Sequence, residues 1–212
     1  MNIHTVYQIF QNYFRPKRKR KFIDIFPEIS EGSSVLDVGG TASWWKDDFS
    51  KKINITIINI DDAPRNEVIN NGFKFIQADG RSLPFMDKEF YLTFSNSVIE
   101  HVGNLSDQEK FASESIRCGQ KLYLQTPNKW FPIEPHLIAA FIHWLPFKVS
   151  RRLIRYFSIW GIITKPSQKT IDEFLLSTRL LTKNELIKIF PTAHISEEKF
   201  LGLTKSFILT IK

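Results

Sequence analysis

The stretch that most constrains this chain is residues 33–43, Ser33-Ser34-Val35-Leu36-Asp37-Val38-Gly39-Gly40-Thr41-Ala42-Ser43. An apolar run reaches an acid and breaks into small residues, and a helix-compatible segment over 44–50 follows at once. That order predicts a buried parallel strand, a tight turn and a helix N-terminus, the first unit of an α/β sheet. Gly39 and Gly40 let backbone N–H groups approach a ligand closely, because no side chain blocks them. A dinucleotide fingerprint would place further glycines where Thr41 and Ser43 stand. Asp37 would also repel a pyrophosphate, so a nicotinamide-dependent oxidoreductase is the weakest reading.

The totals bound the answer. A length of 212 residues fits one sizeable α/β domain, and 42% hydrophobic residues are ample for its core. One cysteine, Cys118, excludes an internal disulfide and points to a reducing cytosol. His4, Gln8, Gln11 and Asn12 interrupt any apolar core of a signal peptide, and no apolar span is long enough for a bilayer. A cytoplasmic protein is expected. The net charge of +7 leaves nucleic acid, anionic lipid and anionic small substrates open as partners. Six basic residues lie in 15–21, and Lys148, Arg151, Arg152 and Arg155 sit on an apolar stretch.

In chain order, residues 1–14 read as an amphipathic helix stopped by Pro16 and the basic run. The β-branched run 53–61 is a buried second strand ending in Asn59, Asp61 and Asp62. In nucleoside-binding α/β folds an acid at this point takes the ribose hydroxyls. Asn59 and Asp61 share one face of the strand, and Asp61 is favoured because a carboxylate accepts from both hydroxyls. Residues 73–77 form a third strand followed by Ala78-Asp79-Gly80, and 92–97 a fourth. Ser106 and Glu109 read as a capping box, as do Thr170 with Glu173 and Thr182 with Glu185. A fifth strand over 121–126 places Gln125, Thr126 and Asn128 at its carboxyl end. Pro146 divides the aromatic and basic segment 137–165 into two helical pieces, and 193–200 with 203–211 form a hairpin through Gly202.

Four blocks taken together, in this order, resemble class I S-adenosylmethionine-dependent methyltransferases of a small-molecule bacterial kind. They are Asp37-Val38-Gly39-Gly40, Asp79-Gly80, Leu83-Pro84-Phe85, and Ser95-Asn96-Ser97-Val98-Ile99-Glu100-His101-Val102. The resemblance covers about residues 33–129, and the terminal hairpin agrees with it. It implies a doubly wound, Rossmann-like fold with a mostly parallel seven-stranded sheet and a C-terminal antiparallel hairpin. It also implies S-adenosyl-L-methionine as cofactor, with Asp37, Gly39, Gly40 and Thr41 beneath its methionine part and Asn59 or Asp61 on the ribose. Asp79 and Gly80 would meet the adenine, and Ser95 and Asn96 would complete the site. Tyr91 departs from the pattern, which has an acid there. Residues 1–32 are expected as a helical, basic extension and 33–212 as the methyltransferase domain, with a helical lid inserted at about 130–180.

Such an enzyme brings an acceptor oxygen, nitrogen or carbon in line with the cofactor methyl. His101, Glu134 and His136 are the candidate general bases, the last two in the Pro-stiffened string Phe131-Pro132-Ile133-Glu134-Pro135-His136. No metal is expected. The acceptor is a small molecule, or one linked to glycan or lipid, and the basic aromatic lid is a candidate for peripheral membrane contact. Two alternatives stand: a non-catalytic binding module on this scaffold, and a nucleic-acid methyltransferase. The second is disfavoured because strand four ends in Ser95-Asn96-Ser97 rather than Asn/Asp-Pro-Pro-Tyr/Phe.

Overall fold

The structure, a computed structural model, describes residues 2–46 and 52–212. By their contacts these fall into two compact units, Glu28–Lys129 with Arg179–Lys212, and Met1–Pro27 with Trp130–Thr178. The N-terminal stretch and the 130–178 insertion, expected separately, thus form one unit.

The first of these, the sheet unit, contains strands β1 (Ser34–Val38), β2 (Asn54–Asn59), β3 (Lys74–Gln77), β4 (Phe90–Asn96) and β5 (Gly119–Pro127). All are parallel, in the order β3-β2-β1-β4-β5. In β1, Val35, Leu36, Asp37 and Val38 are all buried, as a central strand covered on both faces must be. The β-branched run of β2 follows the same rule through Ile55, Thr56, Ile57 and Ile58.

The second, helical unit holds a small hairpin, β6 (Ile133–Glu134) paired antiparallel with β7 (Ala139–Ala140). Beyond it, back in the sheet unit, β8 (His194–Phe200) and β9 (Leu203–Ile211) complete the large sheet. β9 lies antiparallel between β5 and β8, giving seven strands and the expected terminal hairpin. Gly202 turns that hairpin at φ +80°.

The helices that cover the sheet differ in detail from expectation. After β1 the described residues form a short 3-10 turn, Ala42–Trp44, and residues 47–50 of the expected helix lie outside the described ones. Trp44 and Trp45 are both buried there. α1 (Ile3–Ile25), in the helical unit, precedes β1, and α2 (Arg65–Asn70), in the sheet unit, lies between β2 and β3. α3 (Leu105–Cys118) is capped two residues earlier than expected, by Asn104 with Asp107 as its reciprocal partner. Gly103, at φ +121°, delivers the chain to Asn104 before Ser106 is reached. Phe111, Ala112 and Cys118 of α3 join Leu36, Val38, Ile58, Leu122 and Leu124 of the strands in one core.

α1 runs straight through Pro16, contrary to the expected stop there. A helix-interior proline loses one backbone bond and costs about 3 kcal/mol. Ile3, Val6, Phe14 and Phe22 lie buried on both sides of Pro16, and their burial outweighs that cost. The rest of the helical unit is a 3-10 turn at Ile142–Trp144, α4 (Phe147–Phe157), α5 (Ile159–Thr164) and α6 (Gln168–Ser177). Pro146 does open a helix, as N-cap of α4, but only a single 3-10 turn precedes it. Ser167, rather than Thr170, caps α6 by accepting from the Thr170 N–H. Leu137, Ala139, Ile142, Ile154 and Ile171 form this unit's own core. α7 (Lys183–Ile189), again in the sheet unit, carries the expected Thr182–Glu185 capping box. No helix among the described residues is long and apolar enough to cross a membrane.

Candidate active site

Parallel strands point their carboxyl ends to one edge, and in an open α/β sheet ligands settle where the strand order reverses. Here that point lies between β1 and β4. Gly39 follows β1 at φ +79°, and its N–H donates to the Ile58 carbonyl at 2.8 Å. A Cβ at Gly39 would stand 2.4 Å from Val98, just past β4. The turn can close over the switch point only with glycine.

Asp37 is buried, and its Oδ2 accepts from the Trp45 indole at 2.8 Å. Its Oδ1 has no hydrogen-bond partner among the described residues. Burial pushes this carboxyl up to about 7, with the indole hydrogen bond opposing the shift. The Thr41 and Ser43 hydroxyls stand 2.8 Å apart, joined to each other at the exposed side of the turn.

Asn59 and Asp61 divide the work at the end of β2. The Asn59 amide donates weakly to the Gly39 and Gly40 carbonyls, at 3.5 and 3.4 Å, and its Oδ1 accepts from the Asp61 N–H. Asn59 is therefore a brace for the glycine turn. Asp61 is exposed, and its carboxylate makes no hydrogen bond or ion pair among the described residues.

Beyond β3, Asp79 is gripped by Arg81, whose Nε stands 3.0 Å from both carboxylate oxygens and whose Nη2 stands 2.6 Å from Oδ2. The guanidinium holds the Asp79 carboxyl below the usual range and also reaches Asp107 on α3, at 3.2 Å. Gly80 packs so tightly on Phe111 that a Cβ would stand 2.7 Å from the ring.

At the end of β4 the expected site residues separate. Ser95 is fully buried and its hydroxyl donates to the Val38 carbonyl at 3.0 Å, tying β4 to β1 inside the fold. Asn96 is half-buried as the last residue of β4. Ser97, which sequence reasoning passed over, adopts φ +57°. Its N–H and hydroxyl both reach Gln125, at 2.9 and 2.8 Å. The Gln125 Nε2 is buried without a partner among the described residues. No local signal in a serine marks a left-handed backbone; the Gln125 partner holds it from 28 residues away. Thr126 and Asn128 do not offer their side chains at this edge. Thr126 donates to the buried Glu100 and Asn128 to the Thr204 carbonyl. His101 is exposed on the 3-10 turn Ile99–His101. Tyr91 lies at the amino end of β4, on the opposite edge, with its hydroxyl on Glu28.

In the helical unit Glu134 is buried on β6. Its Oε1 lies 2.6 Å from His136 Nδ1 and its Oε2 accepts from the Leu137 N–H at 2.6 Å. A carboxylate at Nδ1 fixes that nitrogen as the protonated one and leaves Nε2 the basic position. Tyr7 of α1 donates to the His136 carbonyl, and burial, with the nearby Glu134 charge, pushes its phenol up to about 12.

Residues 36–121 match the family model described as a methyltransferase domain. No curated protein matches the chain. Among solved structures it is similar to an S-adenosylmethionine-dependent methyltransferase from Methanosarcina mazei. That pair shares 18% identity, covers 88% of this chain and 94% of the other, and has a TM-score of 0.53. A methyltransferase of the same description from Aquifex aeolicus shares 15% identity over 88% and 86% of the two chains, with a TM-score of 0.52. A protein described as a Zn-dependent alcohol dehydrogenase from Rhodobacter sphaeroides shares 11% identity over 88% and 86%, with a TM-score of 0.61. At these identities the likenesses speak for the fold alone. Strand order, switch-point glycines and the matched segment agree: the chain has a Rossmann-like class I methyltransferase fold, and residues 36–121 within it match the methyltransferase-domain model.

Proposed function

We propose that the chain transfers a methyl group from S-adenosylmethionine to a small-molecule acceptor, free or linked to glycan or lipid. The observation that carries this reading is the buried Asp37 Oδ1, unpartnered among the described residues beside the Gly39-Gly40 turn. A buried carboxylate oxygen without a donor is unfavourable until a cation or N–H group meets it. The methionine end of the cofactor carries an ammonium and a sulfonium, so the residues suit the group. When bound, the cofactor supplies an electrophilic methyl on sulfur.

The chain's own residues then bind and orient. Asp61, with its open carboxylate, accepts from the ribose hydroxyls while Asn59 holds the turn. Asp79, fixed by the Arg81 guanidinium and backbone N–H, stands where the resemblance puts the adenine amino group. The Gly39, Gly40, Thr41 and Gly80 backbones line the same edge, with Asn96 at the end of β4. Ser95 acts from inside, as the tie between β4 and β1. For the acceptor proton, the candidate base of the sheet unit is His101; the helical unit's own candidate is His136, whose ring Glu134 orients.

Calorimetric titration with S-adenosylhomocysteine, beside NAD as control, tests the reading. Micromolar binding of the first alone is expected. No binding by folded, ligand-free protein, or binding of NAD instead, overturns it. A binding module without turnover is the second reading, favoured by the Thr41–Ser43 hydroxyl pair where the family pattern has glycines. It would bind S-adenosylhomocysteine and leave no methylated product from labelled cofactor in any envelope, glycan or small-molecule fraction.

A further inference from the structure

The two units differ sharply in charge. Met1–Pro27 with Trp130–Thr178 holds twelve of the 29 Lys and Arg residues but only four of the 22 Asp and Glu. That is +8 for the helical unit, against +7 for the whole chain, which leaves the sheet unit at −1.

The excess charge lies beside exposed apolar groups. α4 buries Ser150 and Ile154. On its opposite side Lys148, Val149, Arg152, Arg155 and Tyr156 are all exposed, and their spacing of three and four residues makes them one stripe. Lys148 and Arg152 form no ion pair among the described residues. Immediately before α4, Phe141 and Trp144 stand 5.2 Å apart and Trp130 lies 6.1 Å from Trp144, all three exposed. A ring 60% exposed, as Trp130 is, gains from any surface that takes its apolar face and leaves its N–H wet.

We propose that α4 and the aromatic turn before it dock on an anionic lipid bilayer. A lipid interface takes both halves of this surface: aromatic and aliphatic groups at the acyl boundary, Lys and Arg stems reaching back to the phosphates. Nucleic acid would reward the cations and leave Val149 in water. A second copy facing the first through this unit would set +8 against +8. The lipid reading does not depend on methyl transfer.

The test is co-sedimentation of the full chain with vesicles of phosphatidylcholine, with or without about 30% phosphatidylserine, at low and high salt. Binding to the phosphatidylserine vesicles alone, weakened by salt, is expected. At about fivefold for each cation near the surface, the triple variant K148Q/R152Q/R155Q should bind roughly a hundredfold more weakly. Tyr156→Ser should weaken binding with the charge unchanged. Both variants should keep the thermal transition and the S-adenosylhomocysteine affinity of the parent. Each of these results would overturn the proposal: no binding to anionic vesicles, equal binding by the triple variant, or a stronger, Tyr156-independent affinity for RNA or DNA. A dimer that the triple variant dissolves would also overturn it, in favour of self-association.

Discussion

The Asp37 carboxylate occupies the space that a side chain on Gly40 would need, since a Cβ there would stand 1.9 Å from Oδ2. Acid and glycine are one device, because the carboxyl can reach Trp45 only where residue 40 has no side chain. Gly40→Ala is expected to lower stability by about 2–3 kcal/mol, the scale of an overpacked core. In an Asp37→Ala background the same change should be far milder. Urea unfolding of the four proteins of that cycle checks the coupling; additive losses would show the contact to be unimportant.

Gly39 faces two separate demands. Its φ of +79° disfavours any other residue, and Val98 occupies the Cβ position. Gly39→Ala should therefore destabilise the fold and weaken S-adenosylhomocysteine binding. Val98→Ala should relieve the clash but leave the backbone penalty of about 1–2 kcal/mol. Full rescue by Val98→Ala would show that sterics alone require the glycine.

Burial raises the Asp37 carboxyl to about 7, far above its ordinary value near 3.8. Between those values the folded chain holds a proton that the unfolded chain has released. Stability is then fully present below about pH 4 and declines as pH rises through 7, by an amount of the order of a few kcal/mol. Asp37→Asn should flatten that decline. Chemical denaturation at pH 5 and pH 8 measures it, and an unchanged slope in the variant would assign the titration elsewhere. A cationic ligand beside Asp37 should draw the proton off, so S-adenosylhomocysteine should bind more tightly at pH 8 than at pH 6.

The end of β2 holds a brace, Asn59, beside an open carboxylate, Asp61, proposed to meet the ribose. Asp61→Ala should reduce S-adenosylhomocysteine affinity by roughly 1.5–3 kcal/mol, the value of a charge-assisted hydrogen bond, with unfolding unchanged. Asn59→Ala should lower both affinity and stability, because it releases the carbonyls of the glycine turn. A drop in affinity only for the Asn59 variant would move the ribose contact from Asp61 to Asn59.

What was legible from the chain alone was what local chemistry writes. The β-branched run of β2, the Gly39-Gly40 turn and the hairpin at Gly202 carry signals within a few residues of where they act. Pro16 misled because its local penalty is overruled by burial of Phe14 and Phe22 on either side. The cap of α3 shifted by two residues because Asn104 and Ser106 are both good caps and Gly103 chose between them. Asp37 was legible as an acid ending an apolar run, whereas the left-handed backbone of Ser97 was not, since Gln125, 28 residues on, holds it. Ser95 and Thr126 are polar residues near a strand end whose hydroxyls bind within the fold, which their position in the sequence does not foretell.

The strand-end residue Asn128 bridges to Leu181, the Lys129 N–H donates to the Leu181 carbonyl, and the Arg179 N–H donates to that of Glu100. The chain thus leaves the sheet unit and re-enters it at one fixed gate. In evolutionary terms such a gate makes the insertion a cassette, exchangeable without disturbing strand register. The cassette is not carried by residues 130–178 alone, however, because α1 belongs to the same unit and Tyr7 bonds the His136 carbonyl. Lineages that swap this insertion should swap their N-terminal helix with it, and the two segments should be inherited as a pair.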